Sequence, residues 1–329
     1  MKKLMFTIKE TSELINSGKA LSIAGDENLL TQLPKGNWIA GTIPYFIAED
    51  GGLFNKDLLY VTPFDENSIK HKIVEYDEEN ISNLYLDTFE NGYSIIIIPA
   101  ASKTHFNFSL KSATYENFAV SPVIGWVSGV DLNDLGKVTP KVFNGSTGEF
   151  FENKAIVLHL ELPKNKYAEI DMVNIFSQDT QADKIEFLKD SFSVSDALVN
   201  GKKVNFLNYV KEKGLNTKLP LVADFNGAMF NTGFQSLDED TGVVNFYAPV
   251  FAGVEYHQAI NVENYVENFL LELPKDLDDP VFSCNCILNY LYSELEGKKT
   301  SNFTGPVTFG EIAYQLLNQT MAFLEIKDS

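Results

Sequence analysis

Segments typical of strands alternate with segments typical of helices through the first hundred residues of this chain. The strand predictions cover residues 20–24, 37–43 and 93–99, and the helix predictions cover residues 7–18, 26–33, 77–89 and 110–119. Thr7 and Glu10 have the spacing of a capping box, which begins the first of these helices. A strand–helix–strand order at this spacing favours an α/β layer with at least part of its sheet parallel.

The pattern changes after Pro122, and a second region begins near residue 186. Further predictions are a hairpin at 142–150, a strand at 155–162, a helix at 204–213 closed by Gly214, several strands within 219–258 and an amphipathic helix at 262–273. The polar stretch 177–183 marks the boundary between the two regions. We therefore expect an α/β fold of mixed α+β character, with two packed domains, 1–185 and 186–329, whose mixed sheets are flanked by helices.

Acidic residues dominate the charge of the chain, which has 45 Asp and Glu against 26 Lys and Arg and a formal net charge of -19. Such a chain repels phosphate backbones and anionic lipid surfaces, so neither nucleic acid nor a membrane is expected as a partner. The longest apolar run, 95–101, has the length of a buried strand. Only two cysteines occur, Cys284 and Cys286, and the N-terminal apolar run is too short for a signal peptide. The sequence therefore predicts a cytoplasmic protein.

The C-terminal half carries a series of short motifs in a fixed order. They are residues 196–204 before a helix, 219–223 after it, 240–254 as a hairpin that ends near a glycine, Cys284 on a strand, then 310–312 and 318–320. In this order they resemble the C-terminal domain of the FIST proteins. Residues 20–24, 39–42 and 122–125 are similar to parts of the N-terminal FIST domain, so the resemblance covers most of the chain.

FIST proteins are regarded as bacterial sensory or signalling domains that bind small ligands, with amino acids proposed among them. The resemblance implies that this chain binds a small molecule, such as an amino acid or a related metabolite, and passes the bound state to a separate signalling protein. FIST domains are often fused to kinase, cyclase or chemoreceptor modules. The sequence contains no such output module, so we expect a stand-alone sensory protein.

Glycine turns at strand ends are the candidate ligand-binding features, because glycine lets a backbone approach a ligand closely and clefts of open α/β sheets lie at strand ends. The candidate ligand-binding residues are Gly41, Thr42, Tyr45, Gly125, Glu311 and Asn318. Glu311 is the carboxylate that would bind the amine of an amino acid, and the alternative is a local cap or ion pair. Thr42, Tyr45 and Asn318 would add polar contacts.

Two other functions stay open. Cys284 with a distant histidine would form a nucleophile pair in an enzyme, although a cysteine flanked by Phe282 and Ile287 is more often a buried apolar residue. A haem sensor needs only one axial histidine or cysteine, and His105 and His159 are the histidines considered for it. The four histidines form no pair with metal-binding spacing. No catalytic residue, metal ligand or cofactor is therefore assigned.

Overall fold

The structure, a computed structural model, describes residues 3–64, 68–225, 227–273 and 280–329. The chain divides into two compact units, and each of them is discontinuous in sequence. Unit 1 comprises Met1–Val173, Leu273–Leu316 and Met321–Ser329, and unit 2 comprises Asn174–Glu272 and Leu317–Thr320. The C-terminal end of the chain therefore returns to unit 1, and this division differs from a single boundary at residue 185.

Strands and helices occur in both units, and the sheets are antiparallel or mixed. In chain order, the strands of the described residues are β1 (Met5–Phe6), β2 (Leu21–Gly25), β3 (Trp38–Thr42), β4 (Tyr45–Ala48), β5 (Gly51–Phe54), β6 (Leu59–Pro63), β7 (Lys70–Tyr76), β8 (Gly92–Pro99), β9 (Val123–Ser128), β10 (Val142–Asn144), β11 (Glu149–Phe151), β12 (Ala155–Glu161), β13 (Lys166–Val173), β14 (Ile185–Phe187), β15 (Ser191–Val194), β16 (Asp196–Val199), β17 (Lys202–Asn205), β18 (Leu221–Phe225), β19 (Ala228–Thr232), β20 (Phe234–Asp238), β21 (Val243–Val250), β22 (Glu255–Gln258), β23 (Phe282–Cys286), β24 (Gly305–Thr308), β25 (Glu311–Ala313), β26 (Gln315–Leu317) and β27 (Met321–Asp328). The α-helices of the same residues are α1 (Ile8–Asn16), α2 (Glu27–Leu30), α3 (Lys103–Lys111), α4 (Phe206–Lys213), α5 (Tyr265–Glu272) and α6 (Ile287–Tyr292). The predicted mixed α+β fold class is confirmed.

Three strand–helix–strand crossovers supply the parallel strand pairs of unit 1: β2–α2–β3, β8–α3–β9 and β23–α6–β24. Side-chain hydrogen bonds cap the helix in the first two of these crossovers. Asp26 accepts from the N–H of Asn28 at 3.0 Å, and Ser102 Oγ accepts from the N–H of His105 at 3.0 Å. Such caps satisfy helix donors that would otherwise lack a partner, which is why these short helices can begin directly after a strand.

Three six-stranded sheets lie mainly in unit 1, with the orders β1-β6-β2-β3-β10-β11, β26-β25-β9-β8-β12-β7 and β13-β27-β23-β24-β4-β5. The strands predicted at 20–24, 37–43, 93–99 and 155–162 correspond to β2, β3, β8 and β12, and are confirmed. β2, β3 and β9 are buried along their whole length, which explains why their sequences are largely apolar rather than alternating.

Unit 2 packs α4 against β16, β17 and β21. Its two sheets have the orders β17-β16-β14-β22-β18-β19 and β15-β21-β20. The core is aromatic, with the Phe187 ring 5.3 Å from Phe206 and 5.4 Å from Tyr256, between ring centroids. Helix α4 ends at Gly214, whose φ of 64° is the left-handed conformation that glycine adopts readily. The predicted helix stop is therefore confirmed.

The predicted helix at 77–89 is wrong, because that segment contains only a 3-10 turn at Ile81–Asn83. Side chains cap its start as they would cap a helix. Asp77 Oδ1 accepts from the N–H of Glu79 at 3.0 Å, and Asn80 Oδ1 accepts from the N–H of Asp77 at 2.9 Å. The cap is therefore present, but only the short 3-10 turn follows it.

The predicted helix at 110–119 is also wrong, since the helix lies earlier, at Lys103–Lys111. Ser102 caps its start, and the chain then leaves helical geometry at Asn117 and Ala119, whose φ angles are 59° and 60°. The capping box of the first helix is confirmed. Across the described ranges, no helix has both the length and the apolar composition that crossing a bilayer requires.

Replacing Gly125 by alanine is expected to lower the free energy of unfolding of unit 1 by about 3 kcal/mol or more. A Cβ atom at Gly125 would lie 1.8 Å from the carbonyl oxygen of Ile96 on the neighbouring strand, so a backbone must move. Urea denaturation followed by tryptophan fluorescence measures this loss, because both tryptophans, Trp38 and Trp126, lie in unit 1.

The matched control is Gly136→Ala, where the added Cβ meets no atom within 4 Å and only the φ of 76° is unfavourable. This variant should cost only about 1 kcal/mol. Equal losses in the two variants would contradict the assignment of Gly125 to close strand packing.

Candidate functional site

A cleft of about 310 Å³ opens in unit 1 beside the amino ends of β23 and β24. The carboxyl ends of β4 and β6 border its other side, together with Leu4 just before β1. Its polar lining comes from Glu49, Tyr60, Thr62, Lys299, Ser301, Asn302 and Thr304. Apolar side chains, among them Val281 and Phe282, complete the wall. The volume is at the small end of the range for ligand sites, which suits a molecule of amino-acid size.

Two opposite charges border the cleft. Glu49 is half-buried, and its Oε1 accepts a hydrogen bond from the backbone N–H of Leu4 at 2.6 Å. The Lys299 side chain is 56% exposed, and its Nζ lies 3.9 Å from Oδ1 of the fully exposed Asp50. An ion pair this long and this exposed contributes little. The ammonium of Lys299 can therefore turn to an anionic group in the cleft at small cost.

Hydroxyl groups join the two sides of the cleft. The Tyr60 hydroxyl donates to Thr304 Oγ1 at 3.0 Å. Burial raises the pKa of Tyr60 well above its usual range, and the nearby charge of Glu49 adds to this effect. Tyr60 is therefore a neutral hydroxyl at any ordinary pH and acts as a hydrogen-bond partner, not as a base.

The cleft wall includes a strained backbone position. Ser301 has a φ of 58°, in the left-handed region that costs a residue with a Cβ about 1–2 kcal/mol. The loop is held by the Thr300 hydroxyl, which donates to the carbonyl oxygen of Phe303 at 3.1 Å. The surrounding structure thus fixes Ser301 in the wall of the cleft.

Sequence reasoning did not find Glu49, Tyr60, Lys299 or Thr304. Tyr60 and Thr304 are 244 positions apart and carry no motif, so only the fold brings them together. The sequence carries only a weak signal for these residues, namely the mostly polar loop 298–304 directly before a strand.

Gly125, Cys284 and Glu311 lie close together inside unit 1, away from the lining of the cleft. The Cys284 thiol donates to the carbonyl oxygen of Gly125 at 3.3 Å. Glu311 is completely buried in β25, opposite Trp126 of β9, and accepts from Thr308 Oγ1 at 3.4 Å. The structure therefore brings together three residues that the sequence singled out, in a buried polar cluster.

Gly41 and Thr42 lie at the carboxyl end of β3. A Cβ at Gly41 would be 2.7 Å from Cη2 of Trp126 and 3.1 Å from Cβ of Ser128. Thr42 Oγ1 accepts from the backbone N–H of Lys141 at 2.9 Å. The space that glycine leaves at position 41 is thus filled by side chains of unit 1 and not by a ligand.

Tyr45 and Asn318 also contact the protein, each within its own unit. The Tyr45 hydroxyl accepts from the N–H of Leu132 at 3.2 Å and lies 3.5 Å from Asp131 Oδ1. In unit 2, Asn318 Oδ1 accepts from the N–H of Gly233 at 2.8 Å. None of the six residues chosen from sequence lines the 310 Å³ cleft. Their assignment to a ligand stays a prediction.

The two histidines considered for haem are buried. His159 lies between the Ser94 hydroxyl, 2.7 Å from Nδ1, and the Tyr76 hydroxyl, 3.1 Å from Nε2. His105 Nδ1 accepts from the N–H of Ala101 at 3.3 Å. Burial lowers the pKa of His159 to about 3 and that of His105 to about 4, so both are neutral near pH 7. Within the part of the chain that the structure describes, no group of three or more His, Cys, Asp or Glu residues could hold a metal ion.

The fold and the cleft define a mixed α+β protein with one ligand-sized cleft described in unit 1. A family model matches residues 6–327, and the chain belongs to that family, DUF6976, a family of unknown function. Comparison with curated proteins gave no match, and comparison with solved structures gave none.

Cys284 and Cys286 are expected to react with a disulfide reagent at least a hundredfold more slowly in the native protein than in the unfolded chain. Both are buried, and burial together with the nearby charge of Glu311 raises the pKa of the Cys284 thiol well above its usual range. Thiol titration with and without guanidinium measures the two rates. A native thiol that reacts as fast as free cysteine would instead favour an enzyme in which Cys284 is the nucleophile.

Unit 1 is expected to lose about 3 kcal/mol of stability between pH 7.5 and pH 5.5. The folded-state pKa values of His105 and His159, about 4 and about 3, lie below the ordinary 6.5, so the unfolded chain binds protons in this window that the folded protein does not. Stability therefore falls as pH falls below 6.5. Urea denaturation by tryptophan fluorescence measures it, and His159→Gln should remove about half of the slope. If stability depended on pH as steeply in the double variant His105→Gln/His159→Gln as in the wild type, the two histidines would not be the cause of this dependence.

Proposed function

We propose that this protein binds a small polar molecule in the cleft of unit 1 and works as a sensory protein. The observation that carries the proposal is a cleft of about 310 Å³ that has Glu49 and Lys299 among its lining residues. Concave sites with an apolar wall and a few convergent polar groups are the usual form of ligand sites.

The charges favour a ligand that carries both an ammonium and a carboxylate, as an amino acid does. The ammonium would bind the Glu49 carboxylate, and the ligand carboxylate would bind Lys299, since charge-assisted hydrogen bonds are the strong ones. Thr304 offers a hydroxyl, and Val281 and Phe282 offer apolar surface for a side chain. An amino acid or a closely related metabolite is the ligand class that these groups suit.

The sensory role rests on the resemblance to FIST proteins, which bind small ligands and report to signalling partners. On that basis the bound state would pass to a separate signalling protein in the cytoplasm. Two reduced, buried cysteines support a reducing compartment. The net charge of -19 disfavours nucleic acid and anionic membranes as partners.

Titration calorimetry against the twenty amino acids should show binding of at least one of them. Glu49→Gln and Lys299→Gln should each weaken that binding about tenfold or more, because each removes one charge-assisted contact. Glu49→Gln keeps an oxygen that can accept from Leu4, so the fold of the cleft is preserved.

Lys298→Gln is the matched control, since Lys298 is the neighbouring lysine, lies outside the cleft lining and donates to the carbonyl oxygen of Ser293 at 3.1 Å. Its affinity should equal that of the wild type. If no amino acid bound, or if all three substitutions weakened binding equally, the cleft would not be the amino-acid-binding site.

A further inference from the structure

We propose that Glu49 links the cleft to the N-terminal strand β1, so that a ligand ammonium bound at Glu49 loosens this strand. The inference rests on the proposed function in one respect, namely that a cationic group reaches Glu49. It adds a route by which binding could change the shape of the protein. Glu49 is both a lining residue of the cleft and the acceptor for the backbone N–H of Leu4.

The bond between Glu49 and Leu4 spans 45 positions and is short, at 2.6 Å. A hydrogen bond to a charged carboxylate is stronger than one to a neutral acceptor. Leu4 lines the cleft as well, so the N-terminal segment forms part of the wall that a ligand would touch. Position and bond together make Leu4 sensitive to what Glu49 binds.

Strand β1 has few backbone hydrogen bonds to its sheet, beside the apolar packing of Met5, which is buried, and of Phe6 against the core. It has two residues, lies at the sheet edge, and pairs only with β6, Met5 opposite Tyr60 and Phe6 opposite Leu59. The carbonyl oxygen of Leu4 accepts from the N–H of Val61 at 3.3 Å, which is a long bond. A short edge strand with so few backbone bonds opens more easily than a central strand. The Glu49 bond is a large share of the hydrogen bonding of the Leu4 backbone.

A ligand ammonium and the N–H of Leu4 compete for the same carboxylate. An ammonium at Glu49 neutralises the carboxylate charge that strengthens the bond from the Leu4 amide. This bond is then weaker, and the population of the open form of β1 rises. Opening uncovers the edge of β6, whose backbone groups could pair with an extended segment of a partner protein.

Amide hydrogen exchange of the full chain tests the link without a known ligand. In the unliganded protein, Glu49→Ala should speed exchange at residues 4–6 about tenfold or more, and Glu49→Gln should restore most of the protection because it keeps an acceptor oxygen. Lys299→Gln, which alters the charge of the cleft but does not touch Leu4, should leave exchange there unchanged. Wild-type protection in Glu49→Ala would overturn the proposal.

Methylammonium chloride is the probe for the competing cation, with tetramethylammonium chloride at the same ionic strength as control. Only the first can donate hydrogen bonds to Glu49, so only it should speed exchange at residues 4–6, and Glu49→Ala should respond to neither salt. Equal exchange of the wild type in both salts would overturn the proposal. These outcomes are separate from calorimetry, where failure of every amino acid to bind would remove the proposed ligand class but leave the methylammonium result to decide the link.

Discussion

The antiparallel pairing of β27 with β13 and β23 holds unit 1 together across its interruption in sequence. Every residue of β27 pairs with β13, from Met321 opposite Val173 to Asp328 opposite Lys166. On its other side, β27 pairs with β23, with Leu324 opposite Phe282. Because Phe282 lines the cleft, the last strand of the chain positions one wall of the candidate site. The cleft thus depends on a pairing between strands that lie far apart in sequence.

Close backbone approach is the second constraint on the same wall. A Cβ at Gly305 would lie 1.9 Å from the carbonyl oxygen of Ser283, so only glycine lets β24 start this close to β23. The residue before it, Thr304, is thereby brought to the Tyr60 hydroxyl. The ring centroids of Phe303 and of Phe323 on β27 are 5.0 Å apart, and this contact holds the loop before β24 in place. Packing and glycine geometry together set the position of a polar group that carries no sequence motif.

Local signals in the sequence were sufficient for much of the fold but not for the site. Apolar runs predicted the buried strands, and the Thr7 cap and the Gly214 stop were visible because each rests on neighbours in sequence. The helix predicted at 77–89 was wrong although its start signal is present, since Asp77 accepts from the N–H groups of Glu79 and Asn80 as a cap does and only a 3-10 turn follows. The cleft depends on contacts such as Glu49 with Leu4 and Tyr60 with Thr304, which only the folded chain creates. The FIST resemblance stays a prediction, as does the ligand it implies.

The rule that open α/β sheets bind ligands at the carboxyl ends of their strands led to Gly41 and Gly125. At the carboxyl ends of β3 and β9 the protein itself fills the space that a ligand would need. Trp126 fills the space beside Gly41, and the Phe309 ring comes within 2.4 Å of where a Cβ of Gly129 would be. The cleft lies instead beside the amino ends of β23 and β24, because the polar loop before β24 packs through Phe303 and leaves Ser301 and Asn302 in the cleft wall. The rule presumes that the space at the carboxyl ends of parallel strands stays open, and at β3 and β9 aromatic side chains close it.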